Sequence, residues 1–135
     1  MLFSLESIKA LTECNSNKIA IKSAYGKYVG AEKDGSANAN RVAVDLWEIW
    51  SVEQKGKDKF AFKSYHGKYL VAQKNGEVNA DSSSVRTTFA AVQLGDDIAF
   101  KTHQSTYLSA DSAGNLNARR ELGHDSRFSI QCLDG

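Results

Sequence analysis

The chain predicts a closed all-β fold of about twelve strands in three equivalent sets, and two observations carry that expectation. The first is that the sequence repeats itself. Near-copies open at Ile19 (IAIKSAYGKYVGAEKDGSANAN), Phe60 (FAFKSYHGKYLVAQKNGEVNAD) and Ile98 (IAFKTHQSTYLSADSAGNLNAR). A period of 38 to 41 residues, met three times in 135, leaves room for one threefold object and little else. The second is the period inside each copy: Ile19 and Ile21, then Val29 and Ala31, fall two apart, as in a half-buried strand whose other face looks to solvent.

The elements of a repeat follow in order. Phe60 and Phe62 match Ile98 and Phe100 of the first strand, and Leu70 and Ala72 match Leu108 and Ala110 of the second. Between these strands lie Tyr25-Gly26-Lys27 and His66-Gly67-Lys68, and after them Asp34-Gly35, Asn75-Gly76 and Ala113-Gly114. These are hairpin turns in which glycine supplies positive φ. Gln104-Ser105-Thr106 is the copy that lacks its glycine. A third strand is expected around Ala37, Val78 and Leu116, and a fourth ending in an aromatic, Trp50, Phe89 or Phe128, trailed by Val52, Ala91 and Ile130.

Twelve short antiparallel strands in three sets, with no helical crossover, predict a β-trefoil, a six-stranded barrel capped by three hairpins, whose closure removes exposed edges. Residues 1–135 form one domain, with repeats at about 17–56, 57–95 and 96–133 and a lead-in at 1–16. A domain of this size buries about two thirds of its unfolded surface, so its apolar positions fill one core without a metal or disulfide. Leu5, Ile8 and Leu11 in the lead-in have helical spacing, with Ser4 as an N-cap and Glu6 in the first turn. The alternative is an irregular segment anchored by Leu2 and Phe3.

Composition narrows the function. Lys plus Arg is 17 against 16 Asp plus Glu, whereas a dedicated nucleic-acid binder is strongly basic. MLFSLESIKALTEC has neither the basic start of a secretory signal nor a membrane span, and Leu2 excludes N-myristoylation, so a cytoplasmic location is expected. Cys14 and Cys132 are too few for a disulfide scaffold. The expectation is two reduced, buried thiols, with a bridge as the alternative because a trefoil brings its first and last strands together.

Catalytic sets are lacking. His124-Asp125-Ser126 has the letters of a triad, but consecutive residues cannot line up for proton transfer. His66, His103 and His124 fall in separate turns and are expected to be exposed rather than metal ligands. Asp111 with Asp125, and Asp96 with Asp97, are acids in turns. No enzyme, cofactor or metal is expected.

The polar residues that recur serve the fold. Lys22, Lys63 and Lys101 face outward with their stems packed down, and Asn38, Asn79 and Asn117 are expected to be turn or backbone hydrogen-bond partners, with ligand contacts as the alternative. Function is sought where the copies differ, after the third strand: Arg41 to Trp47, Asp81 to Arg86, and Arg119 to His124. Arginines and a tryptophan there are residue types enriched at protein interfaces, although Trp47 also suits a loop staple. Lys27 and Lys68 are the other candidates, for an acidic partner.

The run K-S-x-x-G-K-Y-L-x-A-x-x-x-G, at Lys63 to Gly76 and in variant form at Lys22 to Gly35 and Lys101 to Gly114, resembles the fascin-type trefoil repeat and is similar to that of the hisactophilins, histidine-rich amoebal trefoil proteins. Gly114 to Phe128 resembles the matching strand and loop of fascins, and the likeness spans all three repeats. It implies binding to filamentous actin, which fascins cross-link through several trefoils in tandem; a single trefoil implies binding, with bundling only if the protein dimerises. Three histidines and Leu2 depart from the pH-dependent membrane attachment of hisactophilin. Because the filament is acidic, Lys27, Lys68, Arg41, Arg119 and Arg120 with Trp47 are the expected contact set. The alternative is a lectin, since trefoils also present three shallow glycan pockets, although the ricin-type Q-x-W is absent. A third reading, generic protein binding in the manner of a protease inhibitor, needs a protruding loop.

Overall fold

In the computed structural model of the protein, residues 7–133 are described. The first repeat supplies β1 (Lys18–Ser23), β2 (Tyr28–Ala31), β3 (Ala37–Arg41) and β4 (Trp50–Gly56). The second gives β5 (Lys59–Lys63), β6 (Tyr69–Ala72), β7 (Val78–Ser82) and β8 (Phe89–Leu94), and the third β9 (Asp97–Lys101), β10 (Tyr107–Ala110), β11 (Leu116–Arg119) and β12 (Phe128–Cys132). A single helix, α1 (Ser7–Glu13), and two 3-10 turns at Leu46–Glu48 and His124–Ser126 complete the described residues.

Six strands close into a barrel. β1 pairs β4, β4 pairs β5, β5 pairs β8, β8 pairs β9, β9 pairs β12, and β12 returns to β1, all antiparallel. The remaining six form the hairpins β2–β3, β6–β7 and β10–β11. The molecule is thus all-β, with twelve strands and a closed six-stranded barrel, consistent with the expected trefoil.

The largest fully buried side chains are Ile19, Ile21, Val29 and Trp50, with Phe60, Phe62, Leu70, Phe89, Ile98, Phe100, Leu108 and Phe128. They are the same four positions taken from each repeat. Phe62 meets Phe100 edge-on at 5.3 Å between ring centroids, and the Trp50 indole N–H donates to Val29 O at 3.0 Å, so its one polar atom is satisfied inside the core.

Two details of the strands differ from expectation. The fourth strand of each repeat begins at its aromatic instead of ending there. Trp50, Phe89 and Phe128 stand opposite Ile19, Phe60 and Ile98 of their own repeats, and the residues that follow carry the ladder to the next barrel strand, so Val52 lies opposite Phe62. The first strands are also not half-buried: Ala20, Ala61 and Ala99, the in-between residues, are inaccessible too. They face Gln131, Glu53 and Val92 across the ladder, and a methyl group lies beneath those longer neighbours.

The hairpins are tied to one another in a ring. Ala39 N–H donates to Gly114 O, Ala80 N–H to Gly35 O, and Ala118 N–H to Gly76 O, each at 2.8 Å. Gly35, Gly76 and Gly114 have φ of +93°, +97° and +91°. Conformation is half of the requirement, and proximity is the rest: a Cβ on Gly114 would lie 2.7 Å from Asn40 Cβ and 2.9 Å from Ala39 O.

α1 packs its Ile8, Ala10 and Leu11 onto the core, against β12, β8 and β9. The helical expectation thus holds for Ile8 and Leu11, while Leu2, Phe3, Ser4, Leu5 and Glu6 lie outside the described residues. The expectation of reduced thiols is overturned, because Cys14 and Cys132 form a disulfide with 5.6 Å between Cα atoms. The β1–β12 register sets Cys132 opposite Ile19, and α1 against β12 delivers Cys14 to the same place. Closing a loop of 118 residues stabilises the fold by about 5 kcal/mol on a chain-entropy estimate.

Candidate interaction surface

The recurring lysines have a partner that sequence reading missed. Lys22 Nζ lies 5.7 Å from the centroid of the Tyr28 ring, Lys63 5.7 Å from Tyr69, and Lys101 6.0 Å from Tyr107. Each pair sits opposite across its hairpin and contributes about 0.5–1 kcal/mol at an exposed site. The signal was present, since lysine and tyrosine stand six apart, flanking the first turn, in every copy. In the first and third repeats the row extends to an arginine, because Tyr28 is opposite Arg41 and Tyr107 opposite Arg119. In the second the position is Ser82, and the Tyr69 hydroxyl donates to Glu53 Oε2 at 2.8 Å. That bond holds the Glu53 carboxyl below its usual range, aided by Lys55, and pushes the Tyr69 phenol up.

The divergent loops make clefts against neighbouring turns. In the first repeat Asp45 caps the Leu46–Glu48 turn, and buried Glu48 accepts the Asp45 N–H at 2.9 Å. Glu48 fits because Gly30 faces it: a Cβ there would lie 2.7 Å from Glu48 Oε2. In the third repeat Ser109 stands by Ser126 instead, with hydroxyls 3.4 Å apart. Loop and turn residues have thus changed in concert.

Arg41 and Trp47 line one cleft, of about 290 Å³, with Asp45, Leu46 and Glu48. Arg41 is half exposed and 3.9 Å from Glu32. Trp47 meets His66 edge-on at 5.0 Å, and the His66 ring meets Tyr65 at 5.6 Å. Trp47 is therefore a staple between the first and second repeats. His66 is correspondingly half-buried, with Nε2 3.1 Å from Ala31 O, and not the exposed turn residue expected. A second cleft of about 510 Å³ lies on the other side of Leu46, lined by Lys18, Ile49, Lys63 and Tyr65 among others.

Arg119 lies elsewhere, in a polar cleft of about 390 Å³ with Ser109, Glu121, His124 and Asp125. Here the Tyr25 hydroxyl donates to Asp125, which raises the Tyr25 pKa, and its ring meets His124 edge-on at 5.3 Å. Lys27, Lys68 and exposed Arg120 line none of these three clefts. The backbone carbonyls of Lys27 and Lys68 close their turns on Ser23 and Ser64. The expected contact set is therefore split, with only Arg41 and Trp47 brought together.

The acids considered for catalysis hold turns and strand ends. Asp111 accepts the N–H groups of Ala113 and Asn115 at 3.0 and 2.9 Å, and the Asn115 bond foremost lowers its pKa. Asp97 pairs with Arg127 at 3.3 Å. Asn38, read as a backbone partner, instead donates to Glu32 Oε2 at 3.1 Å, while its Oδ1 and that of Asn117 are buried without a partner among the described residues. His103 lies in a turn beside Lys101 and Thr102.

The comparison with protein families matches the FRG1-like domain over residues 45–131, from the cap of the first 3-10 turn to the next-to-last residue of β12. No curated protein matches the chain. The matched span is about two thirds of the sequence and takes in the whole second repeat and nearly all of the third, and by this match the chain belongs to the FRG1-like domain family.

Proposed function

We propose that the protein is a non-enzymatic, fascin-like, actin-binding cytoskeletal β-trefoil that works in the cytoplasm. The observation that carries this reading is the family: FRG1-like domains are a fascin-like, trefoil-like group with structural and binding roles. The closed barrel, the ring of three hairpin bonds and the four core positions taken from each repeat support the trefoil. The Lys–Tyr–Arg rows in two of the three repeats support an acidic partner, since they set cations on both sides of an aromatic ring. Arg41, Arg119, Arg120, Lys27, Lys68 and Trp47 remain the proposed contacts.

Co-sedimentation with filamentous actin at low and moderate salt tests this. Pelleting with actin at high speed, weakened as salt rises, is expected for electrostatically steered binding; pelleting at low speed means bundling and therefore two sites, as in a dimer. No pelleting at any salt refutes the reading.

A second reading, glycan binding, is favoured by one observation. The Arg119 cleft gathers Asp125, His124 and Ser109 beside the Tyr25 ring, the mix of acid, imidazole and aromatic platform that suits a sugar. Glycan-array binding lost in Asp125→Ala would favour it over actin.

A further inference from the structure

From the junction of the first two repeats we infer a docking face for an acidic protein segment that carries a large apolar side chain. The face is a ridge between two clefts. Leu46 lines both, the cleft of about 290 Å³ on one side and that of about 510 Å³ on the other, and Trp47, His66 and Tyr65 continue the ridge ring against ring. Either cleft has the volume for an inserted side chain.

Three observations separate this face from ordinary surface. Large apolar side chains are exposed here: Tyr65 is 58 % and Leu46 49 % exposed, and both line the larger cleft. Solvent does not reward that exposure, and clustered apolar surface marks places where proteins meet.

The fold does not require these residues either. At the place of Leu46 the second repeat has Val85 and the third His124, and at that of Trp47 they have Arg86 and Asp125, while Ala24 and His103 stand where the second repeat has Tyr65. The same backbone is built three times, so Trp47 and Tyr65, whose places hold other residue types in the other copies, are not set by threefold packing.

Charge chooses the partner. Lys18 and Lys63 line the larger cleft and Arg41 the smaller. Lys18 Nζ donates to Ser51 Oγ at 2.6 Å and Lys63 lies over Tyr69, and neither makes an ion pair among the described residues. In the smaller cleft Arg41 already has Glu32 at 3.9 Å and exposed Asp45 beside it, while Glu48 is buried in its cap, so the cations open to a partner are Lys18 and Lys63. An apolar ridge beside a cleft that carries Lys18 and Lys63 is complementary to a segment with one large apolar residue among carboxylates. The inference stands apart from the actin reading, because any protein presenting such a segment would fit.

The test is a titration of the isotope-labelled full chain with a short synthetic peptide of glutamates around a central leucine, followed by amide shifts. Shifts centred on Leu46, Trp47, Ser64 and Tyr65 are expected. Affinity should fall about tenfold when the peptide leucine becomes serine, and again in Leu46→Ser or Tyr65→Ser protein that melts at the wild-type temperature. Equal affinity for the serine peptide, shifts centred elsewhere, or no shift overturns the proposal. The same variants in actin co-sedimentation separate the two ideas. Pelleting unchanged by Leu46→Ser takes actin to another face, whereas peptide binding here without actin pelleting leaves the face standing and removes actin.

Discussion

Replacing Gly114 by alanine tests whether the hairpin ring is held by conformation alone or also by contact. At φ of +91° an alanine is strained by about 1–2 kcal/mol. Its Cβ would also sit 2.7 Å from Asn40 Cβ, 2.9 Å from Ala39 O and 3.1 Å from Ala39 C. Two of these atoms are backbone, and moving them lengthens the 2.8 Å bond from Ala39 N–H to Gly114 O, worth about 1 kcal/mol net. The total is about 2–3 kcal/mol, or about 10 °C in melting temperature for a domain of this size. Gly67→Ala is the control, because Gly67 has φ of +78° and an added methyl group would meet nothing within 4 Å, so only the strain of about 1–2 kcal/mol applies. Urea unfolding of both variants measures the difference. Equal losses would refute the contact argument and leave φ as the sole reason for glycine in the ring.

Further outcomes follow from the same structure. Ser105, at φ of +61° in the turn that lacks glycine, should gain about 0.5–1 kcal/mol in Ser105→Gly, with strain relief exceeding the added chain entropy; a lower urea midpoint would contradict this. Cys132→Ser should cost several kcal/mol, up to about 5, and should make unfolding indifferent to added dithiol, whereas wild type is destabilised by reduction; a reductant-insensitive wild type would contradict the bridge. Tyr69→Phe removes the bond that depresses Glu53. A depressed folded pKa gives stability that is present above the ordinary glutamate pKa and is lost as pH falls through the folded value. An NMR titration of Glu53 should therefore show its midpoint rise toward the ordinary range in the variant, and no movement would refute the assignment.

The repeat made most of the fold legible. Four core positions, the turn glycines and the glycine-free turn at Ser105 all follow from comparing three copies, because threefold packing forces equivalent residues into equivalent roles. What a single copy cannot show is how copies meet. The need for glycine at Gly35 and Gly114 comes from a neighbouring hairpin, and the small residue at Gly30 comes from Glu48; these contacts lie between segments far apart in sequence. The disulfide escapes a sequence reading for a related reason: cysteine count speaks of compartment, whereas proximity depends on α1 packing against β12. In the candidate site, residue types were readable but grouping was not. Arg41 and Trp47 share a cleft while Arg119 lies in another, and Leu46 and Tyr65 give no signal in the sequence because an exposed apolar residue has no signature until its neighbours are known.

The ring of hairpin bonds makes the three repeats mutually dependent. In a linear array an end unit touches one neighbour, so its loss breaks a single interface and the rest persists. Here Gly35, Gly76 and Gly114 each accept from a different repeat, and deleting any one hairpin breaks two of the three links at once, leaving the remaining pair joined by a single bond. Such a closed circuit has no end unit from which to fray, so a chain assembled by triplication would have gained its cooperative stability only with the third copy.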